Sequence, residues 1–164
     1  MNFPPPEFDL RAYLLGRPAA TAHEPAATGL WTVRRDLLDR ADGTRGTFTG
    51  VVHIVPVNDG GLALREEGTM RWPTFTGPAT REYVLKTTAR PDSLDVCFPD
   101  GRPFHTMSFT PEANLDRHWC DPDTYRVAYE YGDANSFSYS WSVLGPRKDL
   151  LLTSGLVRRP EQEA

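Results

Sequence analysis

Residues 136–143, with the sequence SFSYSWSV, constrain the fold of this chain more than any other segment. Every second residue is bulky and apolar or aromatic, and every residue between is a serine. Successive side chains of a β-strand point to opposite faces, so this segment can bury one face and expose the other. A helix has a period of about 3.6 residues and would spread the same rings around its surface. The segment therefore predicts a strand in the wall of a β-structure.

From Gly29 onward, runs of β-forming residues recur about every 8 to 14 residues, separated by Gly, Pro, Asp and Asn, as in all-β sandwiches and barrels. Short turns favour an up-and-down meander, and closing the meander removes exposed edge strands. We therefore predict one antiparallel, up-and-down β-barrel of about ten strands. The runs lie at about 30–39, 46–56, 61–67, 69–76, 80–88, 93–98, 103–109, 124–131, 136–144 and 149–159.

The predicted domain organisation is a barrel over residues 29–160 with an N-terminal extension over residues 1–28. The extension is expected to hold a short helix at 8–15 and a flexible connection at 18–28. Because so short a helix is marginal alone in water, we expect it to pack over a barrel mouth or against the barrel wall. A barrel of this width is expected to enclose a cavity, since about eight strands already leave room for a small ligand.

Charge and composition argue against several classes of partner. Lys and Arg are spread along the chain, and the formal net charge is -4, so nothing predicts binding to nucleic acid or an anionic membrane. No apolar stretch approaches the roughly 20 residues that span a bilayer, and the N-terminus lacks a secretory pattern. The only cysteines are Cys97 and Cys120, enough for one bridge at most, and reduced thiols in a cytoplasmic protein are the simpler interpretation.

The two ends of the predicted barrel carry a known pattern, because Gly29-Leu30-Trp31 opens the first strand and Arg158-Arg159 closes the last. This resembles the calycin, or lipocalin-like, superfamily, in which a Gly-x-Trp packs at the closed end of the barrel under a basic side chain. Further motifs, among them GTFTG at 46–50, DGRPFH at 100–105 and GPRKD at 145–149, resemble an uncharacterised group of short bacterial and fungal calycin-like proteins. The resemblance covers residues 29–159 and implies a fold but no reaction.

The resemblance implies structural roles for Gly29, Trp31 and Arg158. A guanidinium over an indole face at the barrel base stabilises by about 1 kcal/mol or more when shielded from water. Arg159 points to the other face of its strand, so it is the alternative partner of Trp31 if the register differs by one residue.

Arg35 shares a strand face with Trp31, Val33 and Leu37, so the period of two points its guanidinium into the barrel. A buried charge must be paired, and Glu66 is the expected partner. The two residues form either an internal salt bridge or, through the planar fork of Arg35, an anchor for a carboxylate, phosphate or enolate of a ligand. Both uses stay open for Arg35, and the structural use is favoured for Glu66. We count both as candidate ligand-binding residues.

The densest group of reactive side chains contains His105, His118, Cys120 and Asp123. Imidazole and thiolate ligate zinc and other transition metals, but the spacing matches no established motif, so we expect no metal and no cofactor. Histidine is a natural acid or base near neutrality, and Asp123 would fix its tautomer. We name His105, His118 and Asp123 as candidate catalytic residues bordering the cavity, and Cys120 as a candidate ligand contact. The alternative is that Asp123 caps a turn and backbone groups satisfy His118.

Aromatic side chains with a polar tip suit a cavity that holds a flat, partly polar molecule, although a filled core uses the same residues. The candidate wall residues are Trp72, Tyr83, Tyr125, Tyr129, Tyr139 and Trp141.

The function favoured by these patterns is binding of a partly apolar, acidic small molecule in the barrel interior. One alternative is a cofactor-free isomerase, cyclase or hydrolase with a His acid/base and Arg35 stabilising an oxyanion. Another is an interaction module with a filled core. No phosphate loop, dinucleotide fingerprint or nucleophile elbow is present in the sequence. We expect a monomer or homodimer that binds a small molecule, without nucleic acid or membrane partners.

Overall fold

The computed structural model describes residues 2–16 and 27–160, and in these it shows one short helix and one sheet of ten antiparallel strands. The helix is α1 (Leu10–Leu15). The strands are β1 (Ala27–Asp39), β2 (Thr44–Pro56), β3 (Leu62–Trp72), β4 (Phe75–Thr87), β5 (Ser93–Cys97), β6 (Pro103–Ser108), β7 (Leu115–Cys120), β8 (Asp123–Asp133), β9 (Ser136–Leu144) and β10 (Asp149–Pro160). Residues 18–26 of the predicted flexible connection lie outside the described residues.

The strand order β6-β5-β4-β3-β2-β1-β10-β9-β8-β7 rolls the sheet into a nearly closed barrel, because β10 pairs with β1. Strands β6 and β7 stand at the two ends of this order and share no backbone ladder within the described residues. They are joined instead by the Thr106 N–H, which donates to Asp116 Oδ2 at 2.6 Å, and by the rings of Phe104 and His118, 5.1 Å apart. We call this contact the seam. The predicted ten-stranded antiparallel barrel is confirmed.

The strand boundaries differ from the prediction around Gly68. Three runs are predicted over 61–88, whereas the structure has two long strands, β3 and β4, joined by a turn at residues 73–74. Gly68 lies inside β3, opposite Gly50 of β2. A Cβ on either glycine would lie 2.1 Å from a backbone oxygen of the facing strand. These glycines therefore permit a close approach of two strands and do not mark a turn.

Strand β7 is absent from the prediction. Its sequence, LDRHWC, lacks the alternation of apolar and polar residues that marks β9. It pairs with β8 on one side only, and most of its side chains are partly or fully exposed. The predicted number of strands is nevertheless right, since one extra run in the prediction offsets the missing strand.

Helix α1 covers one end of the barrel, which we call the base. Asp9 caps the helix by accepting from the Ala12 N–H at 2.9 Å. Leu10 and Leu14 are buried in the barrel core, with 0% and 1% of their surface exposed. This burial supplies the packing that so short a helix needs. No helix in the described part of the chain is both long and apolar enough to cross a bilayer.

Trp31 occupies the centre of the base. Its indole N–H donates to the backbone oxygen of Leu14 at 3.1 Å. The guanidinium carbon of Arg158 lies 4.2 Å from the Trp31 ring centre, and Arg158 also donates to the backbone oxygen of Tyr13 at 2.7 Å. Beside them, a Cβ on Gly29 would lie 2.3 Å from the backbone oxygen of Ile54. The base thus joins the first and last strands of the barrel to α1, and this end of the barrel is closed.

Candidate functional site

A cluster of charged side chains lies inside the barrel. We call the end opposite the base, which carries the turns between β1 and β2 and between β3 and β4, the open end. Arg35 of β1 and Glu66 of β3 are each 3% exposed and form a two-pronged ion pair, with both nitrogen–oxygen distances 2.8 Å. Arg35 also donates to Ser154 Oγ at 2.7 Å and to Tyr139 Oη at 2.9 Å. Burial alone raises the pKa of Glu66, but the Arg35 hydrogen bonds and the charge of Arg81 outweigh it and hold that pKa below its ordinary value.

Arg81 of β4 is the second guanidinium of this cluster, and it is not among the residues predicted from the sequence. It donates to Tyr139 Oη at 2.9 Å. Its Nε lies 2.9 Å from Glu66 Oε1, an ion pair in which the N–H is poorly aligned with that oxygen. The side chain is 31% exposed although it points into the barrel. Arg81 is therefore surrounded by protein without being fully covered by it. Strand alternation places Arg81 on the same face as Tyr83, so the inward position of Arg81 could have been predicted from the sequence.

His105 of β6 lies at the seam and faces the same interior. Its Nε2 is 2.7 Å from Tyr129 Oη, and its Nδ1 is buried without a hydrogen-bond partner. Burial lowers the pKa of His105 to about 4, and the nearby positive charge of Arg81 acts in the same direction. The ring is neutral at physiological pH. The Asp123 carboxylate predicted to fix a histidine tautomer is not the partner of this ring.

A cavity of about 50 Å³ lies in the barrel interior. Leu14 of α1 lines it, and the polar side chains in its wall are Glu66, Arg81, His105, Tyr83, Tyr129 and Tyr139. The rest of the wall is apolar, with Trp141 and Phe104 as its largest rings. Arg35 does not line the cavity, because Glu66 and Tyr139 stand in front of it. The cavity is smaller than the ten strands predict, and well below the roughly 300–1,000 Å³ of a typical drug-sized site, because rings and the charged cluster fill the interior.

Stacked aromatic rings occupy the barrel between the cavity and the open end. Phe104 lies parallel to Phe98 on one side and to Trp141 on the other, with ring centres 4.7 and 5.0 Å apart. His118 and Tyr125 meet Phe104 edge-on. Neither His118 nor Tyr125 lines the cavity, so the structure separates His118 from His105 by the ring of Phe104.

The remaining candidates lie at the open end, away from the cavity. Asp123 is buried and forms an ion pair with Lys148 at 3.2 Å. Its carboxylate therefore stabilises a turn between strands and is not the partner of His118. Cys120 is an exposed free thiol, and Cys97 is a buried one. Trp72 is partly exposed and packs close to Gly46, where a Cβ would lie 2.7 Å from the indole. No group of three metal-binding side chains converges anywhere in residues 2–16 and 27–160.

Fold and site together define a class of protein: an up-and-down, ten-stranded β-barrel with a charged cluster and a small, mainly apolar cavity inside. Residues 27–158 match the family DUF6314, a family of unknown function, and the chain belongs to this family. No curated protein sequence gives a significant match.

A similar barrel fold occurs in a solved structure of a natural protein. The S-type phycobiliprotein lyase CPES from Guillardia theta superimposes with a TM-score of 0.58 at 8% identity, over 82% of this chain and 88% of that one. A redesigned barrel, mFAP1 bound to DFHBI, gives 0.47 at 16% identity, over 92% of this chain and 100% of that one. A de novo designed fluorescence-activating barrel gives 0.48 at 12% identity, over 93% of this chain and 99% of that one. At such identities the likeness concerns the fold alone.

Proposed function

We propose that the barrel interior binds a small, partly apolar molecule that carries an acidic group. One observation carries the proposal: in the described residues, the buried side-chain nitrogens without a hydrogen-bond partner are Arg81 Nε and His105 Nδ1, and both side chains line the same cavity. Native proteins satisfy nearly all buried polar atoms, so an unsatisfied pair in one cavity wall calls for an explanation. A bound molecule with acceptor atoms supplies it.

The rest of the cavity wall supports the apolar part of the proposal. Leu64, Leu85, Val96, Met107 and Leu156 contribute aliphatic surface around the polar groups. A pocket that is mostly apolar with a few converging polar groups is the usual form of a small-molecule site. An interaction module with a filled core would gain nothing from interior nitrogens that lack a hydrogen-bond partner, so the cavity favours binding over that alternative.

The test is to detect a bound small molecule and then to replace Arg81, which is proposed to bind its acidic group. Native mass spectrometry of protein purified from its host is expected to show a small organic mass that is lost on denaturation. The variant Arg81→Met is expected to lose this mass, whereas Arg71→Met, which removes the same charge from the exposed outer face of β3, is expected to retain it. Protein that carries no mass, and whose thermal stability no small organic acid raises, would contradict the proposal.

A cofactor-free enzyme is the second candidate, favoured by one observation. The ring of His105 is kept neutral by burial and touches the cavity wall beside a guanidinium, and perturbed histidines of this kind cluster at catalytic sites. In this version Arg81, and not Arg35, stabilises an oxyanion. Incubation of the protein with its recovered ligand, followed by mass spectrometry, separates the two: a ligand that stays unchanged after prolonged incubation speaks for binding alone.

We also propose that the barrel is a calycin. Support comes from the base, where the Gly29-x-Trp31 motif packs beneath Arg158 of the last strand. A cytoplasmic location and a monomeric or homodimeric state stay predictions from the sequence.

A further inference from the structure

The polar atoms in the cavity wall define the ligand more closely, and this step rests on the proposed function above. We infer that the ligand is a small monocarboxylate whose two oxygens accept hydrogen bonds from Arg81, Tyr139 and His105. Three independent features lead to this class: the net charge of the cluster, the direction of its hydrogen bonds, and the size of the cavity.

The charges inside the barrel do not balance. Arg35 and Arg81 bring two positive charges and Glu66 brings one negative charge, which leaves one positive charge uncompensated. His105 faces the same space and is neutral. A buried charge is costly unless it is paired, so a ligand with one negative charge suits this interior. A phosphate dianion would leave one negative charge in excess, and a cation would add to the existing surplus.

The hydroxyl group of Tyr139 can act as a hydrogen-bond donor, because its oxygen already accepts two hydrogen bonds. Tyr139 Oη accepts from Arg35 Nη2 and from Arg81 Nη2, each at 2.9 Å. The hydrogen of the hydroxyl therefore points elsewhere, and within the described residues this hydroxyl donates no hydrogen bond. Together with the Nε–H of Arg81, which lies 2.9 Å from Glu66 Oε1 without making a well-aligned hydrogen bond to it, this gives the cavity wall two donors that an acceptor on a ligand would satisfy.

Tyr129 determines which nitrogen of His105 carries the hydrogen. Tyr129 is 6% exposed, and within the described residues the one partner of its hydroxyl is His105 Nε2, at 2.7 Å. A buried O–H with nothing to donate to would be left unsatisfied, so Tyr129 donates to Nε2. The ring hydrogen then lies on Nδ1, which has no partner. His105 is thus the third donor, and Tyr129 is the positioning residue that sets its tautomer.

Acceptors in the wall are already occupied. Both oxygens of Glu66 accept hydrogen bonds from Arg35, so this carboxylate is a poor acceptor for an N–H group of a ligand. A carboxylate ligand brings acceptors only, which complements a wall of donors, whereas the amide of the same acid brings N–H groups that oppose them. The cavity volume of about 50 Å³ restricts the acid to one or two carbon atoms, since a cavity that binds benzene measures about 150 Å³.

Two pairs of isosteres test the inference: formate against formamide, and acetate against acetamide. We would follow the methyl signals of Leu64 and Met107, which line the cavity, during titration at neutral pH. Each acid is expected to bind the parent protein at least about 10-fold more tightly than its amide, because the amide leaves donors unpaired. Arg81→Met is expected to abolish the preference, and Arg71→Met to leave it unchanged.

The imidazole ¹⁵N chemical shifts provide a readout that a purely structural role would not move. In the parent protein the shifts are expected to show hydrogen on Nδ1 of His105, with a further change at Nδ1 when the acid binds. In Tyr129→Phe the hydrogen is expected to move to Nε2, and acid binding to weaken several-fold while the fold is retained.

Amides that bind as tightly as their acids, or hydrogen found on Nε2 in the parent protein, would overturn the inference. So would a dianionic acid recovered from purified protein, although that result would leave the proposed binding of an acidic molecule standing, whereas a neutral molecule would contradict both. Protein that carries no molecule and responds to none of the four probes would overturn both.

Discussion

At the scale of single residues, the three charged side chains inside the barrel contribute unequally to the stability of the fold. Glu66 lies between two guanidinium groups, whereas each guanidinium has only Glu66 as a charged partner within the cluster. Removing the carboxylate therefore leaves two like charges facing each other in a low-dielectric interior. Removing one guanidinium leaves a paired carboxylate. The consequences for stability should differ accordingly.

We expect Glu66→Gln to lower the free energy of unfolding by about 3 to 5 kcal/mol, the usual cost of breaking a buried ion pair from one side. Arg35→Met is expected to cost about 1 kcal/mol or less, since Arg81 still pairs with Glu66 and Met fills the space. Urea unfolding of both variants measures the difference. Equal losses in the two variants would show that Arg81 does not compensate for Arg35.

His105 makes the stability of the barrel depend on pH. Its pKa is about 4 in the folded protein, against an ordinary value of 6.5, so only the unfolded chain takes up a proton between these values. The free energy of unfolding therefore falls as the pH drops from 6.5 to 4, by about 3 kcal/mol in total, and His105 contributes no further loss below that. Burial is the main cause of this low pKa, which the neighbouring Asp116 raises and the neighbouring His118 and Arg81 lower further.

Urea unfolding at pH values across this window checks the prediction. The variant His105→Gln is expected to lose most of the pH dependence, whereas His53→Gln, on the half-exposed outer face, is expected to behave like the parent. A parent protein and a His105→Gln variant with parallel pH profiles would refute the assignment.

The sequence was sufficient to pair Arg35 with Glu66, because strand alternation places both side chains on the inner face. It did not identify Arg81, although the same alternation aligns Arg81 with Tyr83, because the residues around it lack a strongly apolar pattern. The density of His118, Cys120 and Asp123 along the chain was a poor guide to their separation in space. These residues lie at the hairpin between β7 and β8, and a hairpin brings neighbours to the open end without turning them toward the cavity.

At the scale of elements, α1 is both a plug and a part of the cavity wall. Leu14 is 1% exposed, its backbone oxygen accepts from the Trp31 indole N–H, and its side chain lines the cavity from below. The short helix was predictable from its apolar spacing, but the end of the barrel it covers was not. Its position depends on contacts with residues more than a hundred positions away, such as Arg158.

We expect Leu14→Ala to lower the free energy of unfolding by about 2 to 5 kcal/mol and to enlarge the cavity, because the lost methyl groups leave a space that the rigid base cannot fill. Leu15→Ala, at a partly buried neighbouring position, is the matched control and is expected to cost less. Thermal unfolding gives the stabilities. An unchanged affinity of the Leu14→Ala variant for bulkier acids, relative to the parent, would show that the cavity does not reach α1.

At the scale of the whole molecule, the barrel is a chain of local pairings with one long-range closure, between β1 and β10. The meander was predictable because most of its hairpins leave their own signal in the sequence. The seam between β6 and β7 was not, since β7 has no such signal and the two strands share no ladder within the described residues. Hydrogen exchange of the backbone amides measures directly how the stability of the seam differs from that of the laddered strand pairs.

We expect backbone amides in residues 103–108 and 115–120 to exchange faster than those of β1 and β10, because each seam strand has a ladder on one side only. Mass spectrometry of proteolytic fragments after labelling in D₂O measures this. Asp116→Asn is expected to speed exchange in β6 further by weakening the bond to the Thr106 N–H, with little effect on β1. Uniform exchange rates around the barrel would indicate that the seam is as stable as a ladder.

The seam also means that the perimeter of this barrel is adjustable. In a fully laddered barrel, strand number and stagger fix the perimeter, so the interior can widen only if backbone bonds break. Here one of the intervals between strands is set by side chains, and His105 stands beside it. A bulkier acid can thus gain room by lengthening the perimeter while every ladder stays intact. We expect exchange in residues 103–108 to rise with the bulk of the bound acid while exchange in β1 stays constant, so that one framework accommodates a graded series of ligand sizes.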